Sequence, residues 1–246
     1  MTDPLVWLPF DPDLLDPAPP GLRYEVVVPS DDEDVPASID EVELYVPPYR
    51  FSGLDSALIP RMTSLKVVQT MTAGVEHVRP HVPVGVQLCN GRGIHDASTA
   101  ELAMTLMLAS LRGVPGFVRA QDAGVWAPAT RPALADSTVL IVGYGAIGEA
   151  LERRLDGFEV EVARVARTAR EGVHGYADLA ELLPEADVVV LLVPLTDLTR
   201  HLVDAEIFRS GADARRQHRR TRRAREPAGA VVVVVTARRR RQVTHR

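Results

Sequence analysis

The chain has 246 residues, enough for one large or two small domains, and its 46% hydrophobic and 25% charged residues are those of a globular protein. No apolar run approaches the ~20 residues of a membrane span. The opening MTDPLVWLPFDPDL lacks the basic region of a secretory leader, and the single cysteine, Cys89, excludes an internal disulfide framework and fits a reducing cytoplasm.

Residues 1 to about 100 read as an α/β domain of short strands. Val6 to Leu8, Tyr24 to Val28, Glu43 to Val46, Leu65 to Thr70 and Val86 to Asn90 are the expected strands. Asp11 to Gly21 is a proline-rich loop, Ser30 to Asp40 an acidic exposed stretch, and Leu54 to Met62 a short helix. Strands alternating with short helices predict a parallel sheet. In such sheets ligands sit beyond the carboxyl ends of strands. Two loops occupy that place. One is Thr70 to Val75, where Ala73 and Gly74 leave backbone N–H groups open to an anion such as a carboxylate. The other is Asn90 to Asp96, with Asp96 or Ser98 as helix cap. His95 in that loop is a poor acid/base candidate, because a lone loop histidine is more often structural or simply exposed.

Ala97 to Arg112 is the longest helical pattern and is apolar nearly all round, which predicts burial between layers or domains. Glu101 within it reads either as a hydrogen-bond anchor between domains or as part of an exposed stripe. Gly113 to Arg131 is loop and short helix, with Trp126.

Leu134 to Thr168 organises the chain. The apolar run Thr138 to Val142 ends at Gly143; Gly145 and Gly148 follow, then apolar or small residues at Ile147, Ala150, Leu151 and Leu155, then a second apolar run from Phe158 to Val165. Strand, glycine turn, helix and strand in this order open a dinucleotide-binding unit. Gly143 serves the tight turn, Gly145 lets a pyrophosphate reach the backbone, and Gly148 lets helix and strand pack closely. The helix start offers N–H groups and a positive dipole end to phosphate. The competing reading is a glycine turn in some other α/β protein.

An NAD-binding unit usually carries an acid about 20 residues on, for the ribose hydroxyls. Here Ala163 to Thr168 reads ARVART, with no acid and two arginines, Arg164 and Arg167. Arginine pairs bidentately with phosphate, so the stretch predicts a 2′-phosphate site and NADP(H) over NAD(H). Two solvated surface arginines are the alternative.

Beyond this unit, Leu179 to Leu183 is a short helix, Ala186 to Pro194 a buried strand ending at proline, and Leu195 to Arg200 leads into a last helix to Phe208. The text then changes. From Arg209 to the end there are 13 arginines and two acids, so this stretch carries +11 and the rest −16, for a net −5. With 27 arginines against one lysine, Lys66, the gene is GC-rich, and Gln217-His218-Arg219 is what a one-base shift makes of Val-Asn-Thr-Gly. The expectation is an off-frame, disordered tail. Val231 to Val235 is β-prone and expected to lack a mate.

These pieces together resemble the D-isomer-specific 2-hydroxyacid dehydrogenases, the phosphoglycerate, hydroxypyruvate and formate dehydrogenase group. The resemblance rests on Ala73-Gly74-Val75, on Ser98 to Glu101 opening a long helix, and on Leu140 to Gly148. It rests also on Asp187 to Val190 and on Val193 to Thr196 with Thr199. It implies a two-lobed α/β fold with a cleft: a flavodoxin-like substrate domain, 1–100, an incomplete Rossmann domain, 101–208, and the tail, 209–246. It implies that Ala73, Gly74 and Val75 meet the substrate carboxylate. Ala146 and Ile147 would serve the pyrophosphate, as would Gly143, Gly145 and Gly148. Arg164, Arg167 and Thr168 would lie at the adenosine ribose, Val193, Pro194 and Thr199 along the cofactor, and Thr99 near the nicotinamide. The implied reaction is hydride transfer between NADP(H) and a 2-keto or 2-hydroxy acid, in a cytoplasmic homodimer without membrane attachment. Nucleic-acid binding through the arginines is the weaker alternative. The family's catalytic Arg, Glu and His follow the point where the pattern breaks, so no catalytic residue is assigned and the activity of the chain is expected to be impaired. Thr236-Ala237-Arg238 mimics the arginine motif but stands late for the spacing after Pro194.

Overall fold

The computed structural model describes residues 3–50 and 53–203, and the backbone of Val231–Val234. These fall into two compact units, one reaching to His95 and one beginning at Asp96.

In the first unit the strands β1 (Leu5–Leu8), β2 (Arg23–Val26), β3 (Val42–Tyr45), β4 (Val67–Gln69) and β5 (Gln87–Cys89) form one parallel sheet in the order β2-β1-β3-β4-β5. That is the flavodoxin-like order. Strand β1 is buried at all four positions because it is central and covered on both faces. Trp7, Leu5 and Tyr45 pack with Leu58, Ile59 and Met62 on one side, while Val6, Leu8 and Val46 face the other. The expected helix at 54–62 is shorter, α1 (Gly53–Ala57), and passes into a 3-10 turn at Ile59–Arg61, where Pro60 limits continuation.

The second unit begins with α2 (Asp96–Leu111) and α3 (Val114–Asp122). Then come β6 (Thr138–Val142), α4 (Ala146–Leu155), β7 (Glu161–Val165), α5 (Leu179–Leu182), β8 (Val188–Leu191) and β9 (Val231–Val234). Its sheet is parallel with the order β7-β6-β8-β9. Helices α2 and α4 bury Ala103, Met107, Leu151 and Leu155 against Val139, Ile141, Val188 and Val190. The opposite face of the same strands, Leu140, Val142 and Val189, packs on Leu179 and Leu183.

Two expectations change here. Helix α2 is apolar all round, yet only Ala100, Ala103, Met104, Met107 and Leu111 are buried, and Leu102 and Leu106 are exposed. The valine run has a mate: Val231 to Val234 pair in parallel with Val188 to Leu191, so this part of the tail is an ordered strand. Sequence spacing misled because closing a longer loop costs little, about 0.6 kcal/mol per doubling of length, whereas strand register is fixed by pairing. The last expected helix falls partly outside the described residues, as do the rest of the tail and Thr236-Ala237-Arg238; up to Val203 the chain is turns.

Candidate dinucleotide and anion sites

The centre of the second sheet is its switch point. The chain leaves β6 toward β7 on one side and reaches β8 on the other, opening a crevice at the carboxyl ends of β6 and β8. Gly143 stands there with φ +104°, and a β-carbon on it would lie 2.7 Å from the Leu192 carbonyl carbon, so the turn and the chain leaving β8 touch backbone to backbone. Gly148 packs the start of α4 on Ile141 and Tyr144, as the sequence required. Gly145 caps α4, and nothing lies within 4 Å of where its β-carbon would be. Open space over a glycine, followed by the N–H groups of Ala146 and Ile147 at the start of a ten-residue helix, fits a phosphate-bearing ligand. Beyond β8, the Thr199 hydroxyl donates to the Pro194 carbonyl and accepts from the Thr196 N–H (2.8 Å), so Thr199 shapes the loop that carries Val193 and Pro194.

The two arginines of β7 and its end have different surroundings. Arg167 and Thr168 are exposed at the carboxyl end of the strand. Arg164 is instead held by Glu152 of α4: its Nε donates to Oε2 at 2.8 Å, and its Nη2 donates to Oε1. The Tyr144 hydroxyl donates to the same carboxylate. Arg164 holds Glu152 below the usual carboxylate range against the opposing effect of burial, and Glu152 raises Arg164 in turn. Burial, then the Glu152 carboxylate, pushes the Tyr144 phenol up. A further cation, Arg170, places its guanidinium over the Tyr144 ring at 5.7 Å and donates to the Tyr144 carbonyl at 2.9 Å. Sequence reading missed Tyr144, Glu152 and Arg170, because nothing in a linear pattern couples a helix carboxylate to an arginine twelve residues later.

In the first unit, Ala73, Gly74 and Val75 form the turn after β4 and are half-buried. Their carbonyls are taken internally: Asn90 Nδ2 donates to Ala73 (2.9 Å), Thr72 Oγ1 to Gly74 (2.7 Å) and Arg79 N–H to Val75 (2.8 Å). The three N–H groups take no part in those bonds. Beside the turn lies a hollow of about 260 Å³, counting space open to solvent, lined by Pro48, Tyr49, Met71, Thr72 and His77 among others. Arg50, which also lines the hollow, grips the buried Asp55 at 2.9 Å (Nε) and 2.8 Å (Nη2). His95 is half-buried, its ring 5.2 Å from that of Tyr49. Thr99 lies in the first turn of α2, half-buried, and Glu101 is exposed.

The profile of the D-isomer specific 2-hydroxyacid dehydrogenase NAD-binding domain matches residues 104–214, which span this glycine turn, its helix and the β8 loop. Residues 104–214 thus match the NAD-binding domain of the D-isomer specific 2-hydroxyacid dehydrogenases. Among these dehydrogenases it is 29% identical over 205 residues to a glyoxylate reductase of Pyrococcus horikoshii, covering 75% of this chain and 61% of that one. It is 32% identical over 168 residues to a glyoxylate/hydroxypyruvate reductase B of Salmonella schwarzengrund, covering 63% and 52%. It thus spans between about half and three fifths of the length of these relatives. A solved NADPH-dependent glyoxylate/hydroxypyruvate reductase from Sinorhizobium meliloti, in complex with NADP and sulfate, superposes with a TM-score of 0.68 at 28% identity, covering 85% of this chain and 67% of that one. Both sheets thus carry the 2-hydroxyacid dehydrogenase fold, one flavodoxin-like and one Rossmann-like.

Proposed function

We propose that the chain is a 2-hydroxyacid dehydrogenase that binds NADP(H) and acts on a small 2-keto or 2-hydroxy acid. The observation that carries this is the crevice itself: open space above Gly145 at the start of α4, with exposed Arg167 and Thr168 where an NAD-binding unit would place an acid. The relatives that reduce glyoxylate or hydroxypyruvate, and the neighbour that holds NADP, support the same reading. In the first unit the N–H groups of Ala73, Gly74 and Val75 take the substrate carboxylate, and the hollow beside them takes the group on the carbonyl carbon. When bound, the nicotinamide supplies the hydride; the residues of the chain bind, orient and exclude water. A reducing cytoplasm fits the lone Cys89, and among the described residues no single helix is long and apolar enough to cross a membrane.

The test is titration of the whole chain with NADPH and NADH by fluorescence, followed by NADPH consumption with glyoxylate and hydroxypyruvate. Tighter NADPH binding is expected; equal affinities sink the cofactor reading. A second reading, dinucleotide binding without turnover, is favoured by the position of one pair. His174 stands 3.6 Å from Asp178, but it bonds through its backbone to Ala166 and so belongs to the adenosine end, where no hydride moves.

The partner we propose is a second copy of the chain, docking on the second unit. Leu102 and Leu106 of α2, Val114, Phe117 and Val118 of α3, and Trp126 (90% exposed) present large apolar surface to solvent. Surfaces of that kind mark protein contacts. Light scattering should find a dimer, and Leu106→Glu should shift it to monomer.

A further inference from the structure

Three cations stand near the carboxyl end of β7: Arg164, Arg167 and Arg170. One of them is spoken for. The guanidinium fork of Arg164 closes on both oxygens of Glu152, and the Tyr144 hydroxyl bonds one of those oxygens and fixes how the carboxylate is turned. The Tyr144 ring lies against Arg164 on one contact, at 5.8 Å, and against Arg170 on another, at 5.7 Å. The fork that grips a carboxylate is the same fork that grips a phosphate. Arg164 therefore has two mutually exclusive uses, and Glu152 occupies it in the first. The side chain of Arg164 keeps 34% of its surface, so the guanidinium is held rather than sealed away.

Resting on the NADP(H) reading above, we propose that Glu152 is a positioning residue for cofactor specificity: by holding Arg164 it withholds a third cation from the ligand's 2′-phosphate and so limits the phosphate preference of the site. The paired charges cancel, and Arg167 with Arg170 supply the field that an anion meets. Glu152 then tunes the balance between the phosphorylated and unphosphorylated dinucleotides without touching either. Loss of its charge turns Arg164 loose one residue before the end of β7, on the same strand end as Arg167.

The experiment uses adenosine 2′,5′-bisphosphate and 5′-AMP, which differ only in the 2′-phosphate, titrated calorimetrically into the whole chain. The wild type should favour the bisphosphate. Glu152→Gln should raise the ratio of affinities about 3- to 10-fold, and the gain should shrink as salt rises. Arg164→Ala alone leaves the Glu152 charge uncancelled and should lower the ratio, and the double variant, which lacks both charges, should return to the wild-type ratio within about twofold. Glu152→Asp keeps the charge with a shorter reach and should give a smaller gain, which serves if the glutamine variant folds poorly. A wild-type preference that Glu152→Gln and Glu152→Asp leave unchanged or lower overturns the proposal, as does a double variant whose ratio differs more than about twofold from the wild type. A wild-type ratio near one overturns the NADP(H) reading, and the proposal with it.

Discussion

Arg167 and Gly143 show how differently single residues act on this crevice. Arg167 touches little of its own chain and is exposed, so its removal should leave the fold alone. Arg167→Ala should weaken NADPH by roughly 1.5–3 kcal/mol, the worth of a hydrogen bond to a charged group, with NADH unchanged; paired fluorescence titrations with both ligands measure this. Gly143 is the reverse case. Its φ of +104° disfavours any side chain, and a β-carbon would press on the Leu192 carbonyl, which belongs to backbone and cannot swing aside. Gly143→Ala should cost about 2–4 kcal/mol of stability through strain and displaced backbone, read as a lowered denaturation midpoint, and the loss of ligand affinity should accompany it. The same comparison marks what sequence can tell. The need for glycine at 143 is written in the G-x-G-x-x-G spacing. The difference between Arg164 and Arg167 is not, because it depends on which helix carboxylate lies across from each.

At the scale of elements, the turn after β6, helix α4 and strand β7 are clamped together by the Glu152 carboxylate, and that clamp titrates. Arg164 lowers the folded-state pKa of Glu152 below its ordinary value near 4.5. A depressed carboxylate contributes stability that is complete above the unfolded pKa and is lost as the pH falls through it toward the folded value. Thermal midpoints measured from pH 7 down to 3 should therefore fall more steeply below about pH 4.5 in the wild type than in Glu152→Gln, and the two curves should converge at the acid end. Parallel curves would show that the pair adds nothing to folding. The elements themselves were largely legible. Strand β6 and helix α4 were plain from an apolar run, three glycines and a 3.6-residue period, and all five strands of the first sheet were anticipated to within three residues. Helix α2 was found but its surroundings were not: an all-round apolar pattern says that water is unwelcome on every face, not which element covers each one. Leu102 and Leu106 remain uncovered within the described chain.

For the molecule as a whole, the question is what chemistry survives around a sheet completed by β9. Strand β9 pairs with β8, and its carboxyl end is flush with those of β6 and β8. Thr236-Ala237-Arg238, which mimics the family's arginine motif in sequence, lies outside the described residues. Hydride delivery builds negative charge on the carbonyl oxygen, which needs both a cation and a proton. An arginine can supply the first but, holding its proton throughout the working pH range, not the second. A positioned general acid is typically worth about 10²–10⁴-fold, and His95 packs on Tyr49 in the loop after β5, with no catalytic role assigned to it. The expected outcome is NADPH-dependent glyoxylate reduction that is slow by about that factor. It should rise steadily as the pH falls, with the proton coming from solvent. His95→Ala should leave it unchanged. Initial rates between pH 5 and 9 decide the matter. A plateau in rate at low pH, abolished by His95→Ala, would mean that a histidine of the chain does donate the proton and that the acid has been sought in the wrong place.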